Sequence, residues 1–253
     1  MNRLKVITRI REKLSKKKAV IGSWIQLPDS SIAEIMGNSG YDWVAVDQEH
    51  GTISNHQLPD IFRALELGDT LPLVRLAQGH PKDCKQALDA GAGGVIIPNI
   101  ESSEQLQFIL NACKWPPAGN RGVGFSRANL FGENFKDYYE EAQNPIVVAI
   151  IESIHAIDNL EAILKVRGLD AILIGPYDLS ASMNLTGEFE NQVFISAIEK
   201  IRALAKRNSI PSGIHIVEPV SESLRKRVEE GYQFIAYSID SVFLSKNCKN
   251  PIG

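Results

Sequence analysis

Cysteine is scarce in this chain: Cys84, Cys113 and Cys248 are odd in number, and no two stand in CxxC spacing. A disulfide framework and a zinc knuckle are thereby excluded, and a reducing compartment is expected. Charge of one sign is also lacking, with a formal net charge of −3 over 253 residues. So weak a field gives nucleic acid or an anionic membrane no general attraction, and neither is expected as a partner. No apolar run approaches the roughly 20 residues that span a bilayer, and no signal-peptide core opens the chain. A soluble, unexported, cytoplasmic protein is the expectation. Two further absences concern chemistry. "GSWIQLPDSS" stands where a glycine-rich dinucleotide turn would follow a first strand, and no strand-like run carries a lysine. The first argues against a doubly wound sheet and the second against Schiff-base catalysis.

What is present is alternation. Apolar runs occur at "AVIGSWI" from Ala19, "WVAVD" from Trp43, "LPLVR" from Leu71, "GGVIIP" from Gly93, "IVVAIIE" from Ile146, "DAILIG" from Asp170, "PSGIHIV" from Pro211 and "QFIAYS" from Gln233. Most are continuously apolar, as strands buried on both faces of a parallel sheet must be. Amphipathic segments separate them, several ending in Gly, a common helix stop. Eight such alternations with no break in composition predict a single-domain α/β fold, a (β/α)₈ TIM barrel covering 1–253. The basic opening "MNRLKVITRIREKLSKKK", with Glu12 its sole acid, has the composition of a transit peptide or nucleic-acid arm. Leu4, Ile7, Ile10 and Leu14 recur at helical spacing, however, which predicts an N-terminal helix over about 1–18 packed on the barrel. One long connection, about 114–145, is rich in Pro, Gly, Asn and aromatics. Such segments are usually functional or disordered, and its aromatics oppose disorder, so it is expected to fold over the barrel mouth.

In a parallel barrel the chemistry gathers where the strands end. The second strand runs into Asp47, Glu49 and His50, the third ends on Arg75, the fifth on Glu152, and the sixth enters "GPYDLS" with Asp178. Glu152 and Asp178 on neighbouring strands would repel as bare carboxylates, and a hydrated divalent cation removes that penalty. Equally, each could cap the helix that follows. His50 can be a general base tuned by Asp47 and Glu49, or a structural histidine. Arg75 can clamp a carboxylate or developing enolate, or simply pair with Asp47 or Glu49. A metal, a base and a guanidinium together describe making and breaking a carbon–carbon bond beside a ketone.

The segments "YDWVAVDQEHG", "LPLVRLAQGHP", "ALDAGAGGVIIP", "RGVGFSRANLFG", "IIESIHAIDNL" and "GLDAILIGPYDLSASM" are similar, in order and spacing, to the HpcH/HpaI family of metal-dependent 2-oxo acid aldolases. The resemblance runs from about Ile21 to the end of the eighth strand. It implies the phosphoenolpyruvate/pyruvate barrel group, a homo-oligomer, usually a hexamer, and Mg²⁺, Mn²⁺ or Co²⁺ on Glu152 and Asp178. It also implies His50 as catalytic base, Asp47 as the acid that orients it, and Arg75 as the group stabilising the enolate. Glu49 would bind metal waters, and the backbone at Gly175, Pro176 and Tyr177 would receive the pyruvate carboxylate. The implied activity is reversible cleavage of a 4-hydroxy-2-oxo acid to pyruvate and an aldehyde, with oxaloacetate decarboxylation as a side reaction. A citramalyl- or malyl-coenzyme A lyase of the same barrel group and a catalytically silent keto-acid binder are the alternatives. Three positions depart from the pattern: Ile150 stands where members commonly have Gln, Tyr177 where many have a smaller residue or Asn, and "DSVFLSKNCKNPIG" where many have a longer, exchanged helix. Trp24 and Gln26 could line the pocket, or Trp24 could be core. Arg121 could meet the far end of a substrate or a neighbouring subunit. Phe125, Asn129 and Phe131 are expected at the aldehyde, and His215 as a packed histidine.

Overall fold

The computed structural model describes residues 1–250 and 252. Eight strands, β1 (Val20–Ile25), β2 (Trp43–Asp47), β3 (Leu71–Arg75), β4 (Gly94–Ile97), β5 (Ile146–Ile151), β6 (Ala171–Ile174), β7 (Ser212–Ile216) and β8 (Phe234–Ile239), form a closed barrel in chain order. Every pair is parallel, including the closing pair of β8 with β1. Each apolar run read from the sequence is therefore a strand. The helices are α1 (Arg3–Ser15), α2 (Ser30–Gly37), α3 (Leu58–Leu67), α4 (Pro81–Asp89), α5 (Ser103–Cys113), α6 (Phe135–Gln143), α7 (Ile154–Asp158), α8 (Leu160–Ile163), α9 (Pro176–Ser182), α10 (Gln192–Arg207), α11 (Ser221–Glu229) and α12 (Asp240–Asn247).

Alternate residues of each strand divide between two apolar layers. Val44 and Val46 pack outward under the helices, while Trp43 and Ala45 join Leu73, Val148 and Phe234 inside the barrel. Val6, Ile7, Ile10 and Leu14 of α1 belong to that interior layer, so the basic N-terminal helix stoppers the barrel at the strands' amino ends. Its cations find partners there: Arg11 pairs with Asp170 at 2.6 Å and Lys13 with Asp42 at 2.5 Å. The Trp43 ring stacks on Phe234 at 4.5 Å and needs a neighbour without a side chain. A Cβ on Gly22 would lie 2.1 Å from Trp43 Cδ2, so only glycine fits opposite it.

The 114–145 segment corrects the expectation of a mouth loop. Arg127 binds Glu66 at the end of α3 (2.7 Å) and the Ala90 carbonyl just beyond α4 (3.0 Å). Arg3 of α1 binds Glu141 (2.6 Å) and the Ala128 carbonyl (2.6 Å). In a barrel the helices run back against the strands, so their carboxyl ends, like α1, lie at the face opposite the mouth. The segment follows a helix and precedes a strand, and that direction of travel places it on the amino face whatever its composition. Trp115, Tyr138 and Ala142 give it a small core of its own.

Candidate active site

β2 carries Asp47 to its end, fully buried, and hydrogen bonds converge on it. Arg75, its register partner on β3, donates from Nε (2.8 Å) and Nη2 (2.5 Å), and Gln26 at the end of β1 donates from Nε2 (2.8 Å). The backbone N–H groups of Glu49 (3.1 Å) and His50 (3.2 Å) also reach Oδ1. Burial alone would push this carboxyl up, but Arg75, Gln26 and the His50 N–H hold it below its ordinary value. Asp47 thus stays charged and fixes Arg75. It does not orient the His50 imidazole, as the resemblance implied, because the tight turn after β2 presents the backbone of His50 and turns its ring outward. The imidazole is exposed at the mouth, with Nε2 4.0 Å from Glu49 Oε2. Glu49 also meets Arg75 Nη1 at 3.3 Å.

Glu152, just past β5, is buried. Its Oε1 accepts the backbone N–H of Asn99 at 2.6 Å, and a Cβ on Gly175 would come within 2.9 Å of its Oε2, so the glycine ending β6 makes room for it. Burial, and then the charges of Glu49 and Asp178, raise its pKa to about 7 against the counter-pull of Asn99 and Arg75. Burial likewise raises Glu49, with Asp47 and Asp178 adding to the shift and Arg75 opposing it, and Glu49 Oε2 has no hydrogen-bond partner. The helix-cap alternative fails for Glu152, since Ser153 caps α7 by accepting from Ala156 N–H at 3.1 Å. Asp178 does lie in the first turn of α9, where the helix dipole favours an acid, and it is exposed to the mouth.

Asn99 escaped sequence reasoning. It follows β4 with a positive φ of 54°, a conformation asparagine tolerates better than most residues. There its N–H holds Glu152 while Nδ2 donates to Glu49 Oε1 at 3.2 Å. The readable signal was an asparagine directly after the proline that ends a buried strand. Asp240, after β8, was missed too. Its carboxylate accepts from the N–H groups of Gln26 and Leu27, fixing the end of β1.

Trp24 is core, as one of its two readings held, yet its ring also supports the site: Arg75 Cζ lies 4.8 Å from its centroid. Tyr177 is exposed and meets Phe189 edge-on at 4.9 Å. Arg121 is not brought to this site. It is buried in the small core of the 114–145 segment, donating to the Tyr138 hydroxyl at 2.8 Å with Trp115 beneath it. Phe125, Asn129 and Phe131 lie in the same segment, away from the mouth of their own barrel.

The charges do not balance. One guanidinium serves both Asp47 and Glu49, while Glu152 and Asp178, in each other's field, have no cation. Among the described residues no cluster of three or more His, Cys, Asp or Glu side chains encloses a metal. A carboxylate pair with a third carboxylate, Glu49, nearby suits instead a hard cation that keeps several waters.

The sequence profile of the HpcH/HpaI aldolase/citrate lyase family matches residues 20–247. The hydroxypyruvate/pyruvate aldolase of Roseobacter denitrificans is 32% identical over 249 residues, 96% of this chain and 95% of that protein. A 4-hydroxy-2-oxovalerate aldolase of Novosphingobium aromaticivorans is 34% identical over 231 residues, covering 89% and 86%. The crystal structure of an HpcH/HpaI aldolase/citrate lyase family protein from Burkholderia cenocepacia superposes with a TM-score of 0.88 at 29% identity, over 94% of this chain and 95% of that one. With the closed parallel barrel and the strand-end residues in place, this chain belongs to the HpcH/HpaI aldolase/citrate lyase family.

Proposed function

We propose that this barrel is a divalent-metal-dependent aldolase that reversibly cleaves a 4-hydroxy-2-oxo acid into pyruvate and an aldehyde. The observation that carries the reading is the surplus of negative charge at the mouth: Glu152, raised to about 7 by burial and by its acidic neighbours, is a poor resident without a cation beside it. Glu152 and Asp178 would hold Mg²⁺, Mn²⁺ or Co²⁺. When bound, such an ion is a Lewis acid for the 2-oxo group. The names of the aldolase relatives support the substrate class.

The protein's own groups then divide the work. Arg75, held rigid by two bonds to Asp47 and by the Trp24 face, aims its remaining donors where negative charge develops as the carbon–carbon bond breaks. The turn at Gly175, Pro176 and Tyr177 receives the substrate carboxylate at the start of α9. His50 takes the proton of the C4 hydroxyl, its Nε2 4.0 Å from Glu49 Oε2 at the open mouth. A homo-oligomer is supported by the exposed apolar side chains of Phe125, Leu130 and Phe131. A reducing cytoplasm is supported by free Cys84, Cys113 and Cys248, the first two buried. Among the described residues no helix is long and apolar enough to cross a membrane.

The direct test is pyruvate release from 4-hydroxy-2-oxo acids supplied with Mn²⁺ or Mg²⁺, before and after EDTA. Activity is expected to vanish on chelation and return with the ion; cleavage that survives complete chelation contradicts the reading. The role of His50 has its own test. His50→Ala is expected to slow aldol cleavage by about 10²-fold or more, the usual size of a general-base contribution. Oxaloacetate decarboxylation, which needs no hydroxyl proton removed, should fall much less. Equal losses in the two reactions would rule His50 out as that base.

A further inference from the structure

Two of the acids at the mouth share one neutral neighbour. Asn99, in the connection from β4 to α5, gives its main-chain N–H to Glu152 Oε1 at 2.6 Å and its side-chain Nδ2 to Glu49 Oε1 at 3.2 Å. The first bond ties Glu152 to the β4 side and leaves Oε2 on the β6 side, where a Cβ on Gly175 would come within 2.9 Å of it. That is the side from which Asp178 enters, in the first turn of α9. Glu49 is tied at both ends as well, with Oε1 on Asn99 and Oε2 3.3 Å from Arg75 Nη1.

Asn99 is itself held. Its φ of 54° lies in the left-handed region, which asparagine enters more readily than most residues. Gln105, in the first turn of α5, grips the connection on either flank: Nε2 donates to the Asn99 carbonyl at 2.9 Å, and Oε1 accepts the Glu101 N–H at 2.9 Å. Glu101 reaches on to α7, its Oε1 accepting from Ser153 Oγ at 2.7 Å and its carbonyl from Asn159 Nδ2 at 2.8 Å. Asn99 is thus a fixed point against which two mutually repelling acids are held. What its donors lack is charge. A cationic side chain in this place would also gather the acids, but it would cancel the negative charge that a metal ion needs. An amide and a peptide N–H fix the carboxylates and leave that charge intact.

We propose that Asn99, gripped by Gln105, is a positioning residue for the divalent ion: a neutral brace whose two N–H donors hold Glu152 and Glu49 at the spacing the ion and its waters require, and so set how tightly the ion is bound. The brace rests on the metal-dependent reading above and deepens it, since it assigns part of the affinity to a residue outside the carboxylates that would hold the ion.

The experiment titrates the protein with Mn²⁺ in the absence of substrate and reads the free ion by electron paramagnetic resonance, in the wild type, Asn99→Val, Asn99→Gly and Gln105→Leu. Asn99→Val removes the amide and, being β-branched, resists the positive φ, so both acids are released. Its Kd for Mn²⁺ is expected to rise about 10- to 100-fold, the usual loss when a group that orients a metal ligand is removed. Asn99→Gly keeps the left-handed backbone and its N–H and loses only the bond to Glu49, so its Kd should lie between those of the wild type and Asn99→Val. Gln105→Leu touches neither acid and changes no charge, yet it should weaken binding by about tenfold. It also serves in place of Asn99→Val should that variant fail to fold. A role in closing the turn alone would cost stability in urea and leave the Kd of every folded variant at the wild-type value; that result overturns the brace while the metal-dependent reading stands. A wild type that binds no Mn²⁺ removes that reading itself, and the brace with it.

Discussion

Glu152→Gln is expected to abolish aldol cleavage while making the metal-free protein more stable at alkaline pH. The loss of activity should be about a thousandfold or more, since the substitution removes half of the carboxylate pair that would hold the cation, whose charge stabilisation is worth several kcal/mol. The gain in stability comes from the same carboxylate. Its folded pKa is raised from an ordinary 4.5 to about 7, first by burial and then by Glu49 and Asp178. Below 4.5 the group is protonated in folded and unfolded chains alike and costs nothing. As pH rises through 7, the folded chain must hold a buried charge that the unfolded chain hydrates freely. The gap between 4.5 and about 7 corresponds to about 3 kcal/mol, fully felt by pH 8. Glutamine keeps an oxygen for the Asn99 N–H and has no charge to bury. Urea unfolding in EDTA at pH 8 should therefore favour the variant by about 3 kcal/mol, and the difference should shrink toward zero near pH 4.5. The comparison has to be made between variants, because His215, lowered to about 4 by burial and Arg75, works the opposite way as the solution is acidified. A pH-independent difference, or a variant less stable at pH 8, would show that Glu152 is not a strained acid awaiting a cation.

The barrel was legible because its physics is repetitive. Strands buried on both faces must be continuously apolar, so "WVAVD" and "LPLVR" could be read as β2 and β3 with their ends on Asp47 and Arg75, and those ends are where a parallel barrel collects its polar groups. Glu152 and Asp178 were legible for the same reason. Pairings that depend on the path of a turn were not. Asp47 and His50 are three apart, and that spacing suits an acid beside an imidazole as well as an acid bonded to a backbone N–H. Only coordinates reveal that Asp47 is committed to Arg75, Gln26 and the backbone. The 114–145 segment was misplaced because its composition outweighed its direction, although a stretch leaving a helix for a strand must travel along the amino face. Asn99 was invisible because what matters is a positive φ and a main-chain N–H, neither of which a one-letter code displays.

Arg75→Met is expected to unfold more easily and to be nearly inactive, and pairing it with Asp47→Asn should separate those two effects. Removing the guanidinium leaves Asp47 fully buried, still holding Gln26 and two backbone N–H groups but with no opposite charge. An uncompensated buried charge costs about 3 kcal/mol or more, whereas replacing both members of a buried pair by neutral groups costs far less. The Asp47→Asn/Arg75→Met double variant should therefore recover most of the lost stability, with a coupling energy readable from a double-mutant cycle in urea. It should recover none of the activity. If Arg75 stabilises charge developing on the keto acid, its loss costs about 10² to 10³ in kcat with or without a neutral partner at position 47. If the ion pair serves only to close the strand ends, the double variant will regain activity along with stability, and Arg75 belongs to the scaffold. The pairing geometry favours the first outcome: Nε and Nη2 are committed to Asp47, and the remaining Nη1 meets only Glu49 at 3.3 Å, an acid whose own carboxyl is raised by burial and crowded by Asp47 and Asp178. A guanidinium fixed on one edge and loosely paired on the other can turn its free donors to an incoming oxyanion without reorganising, which is what electrostatic stabilisation of an enolate demands.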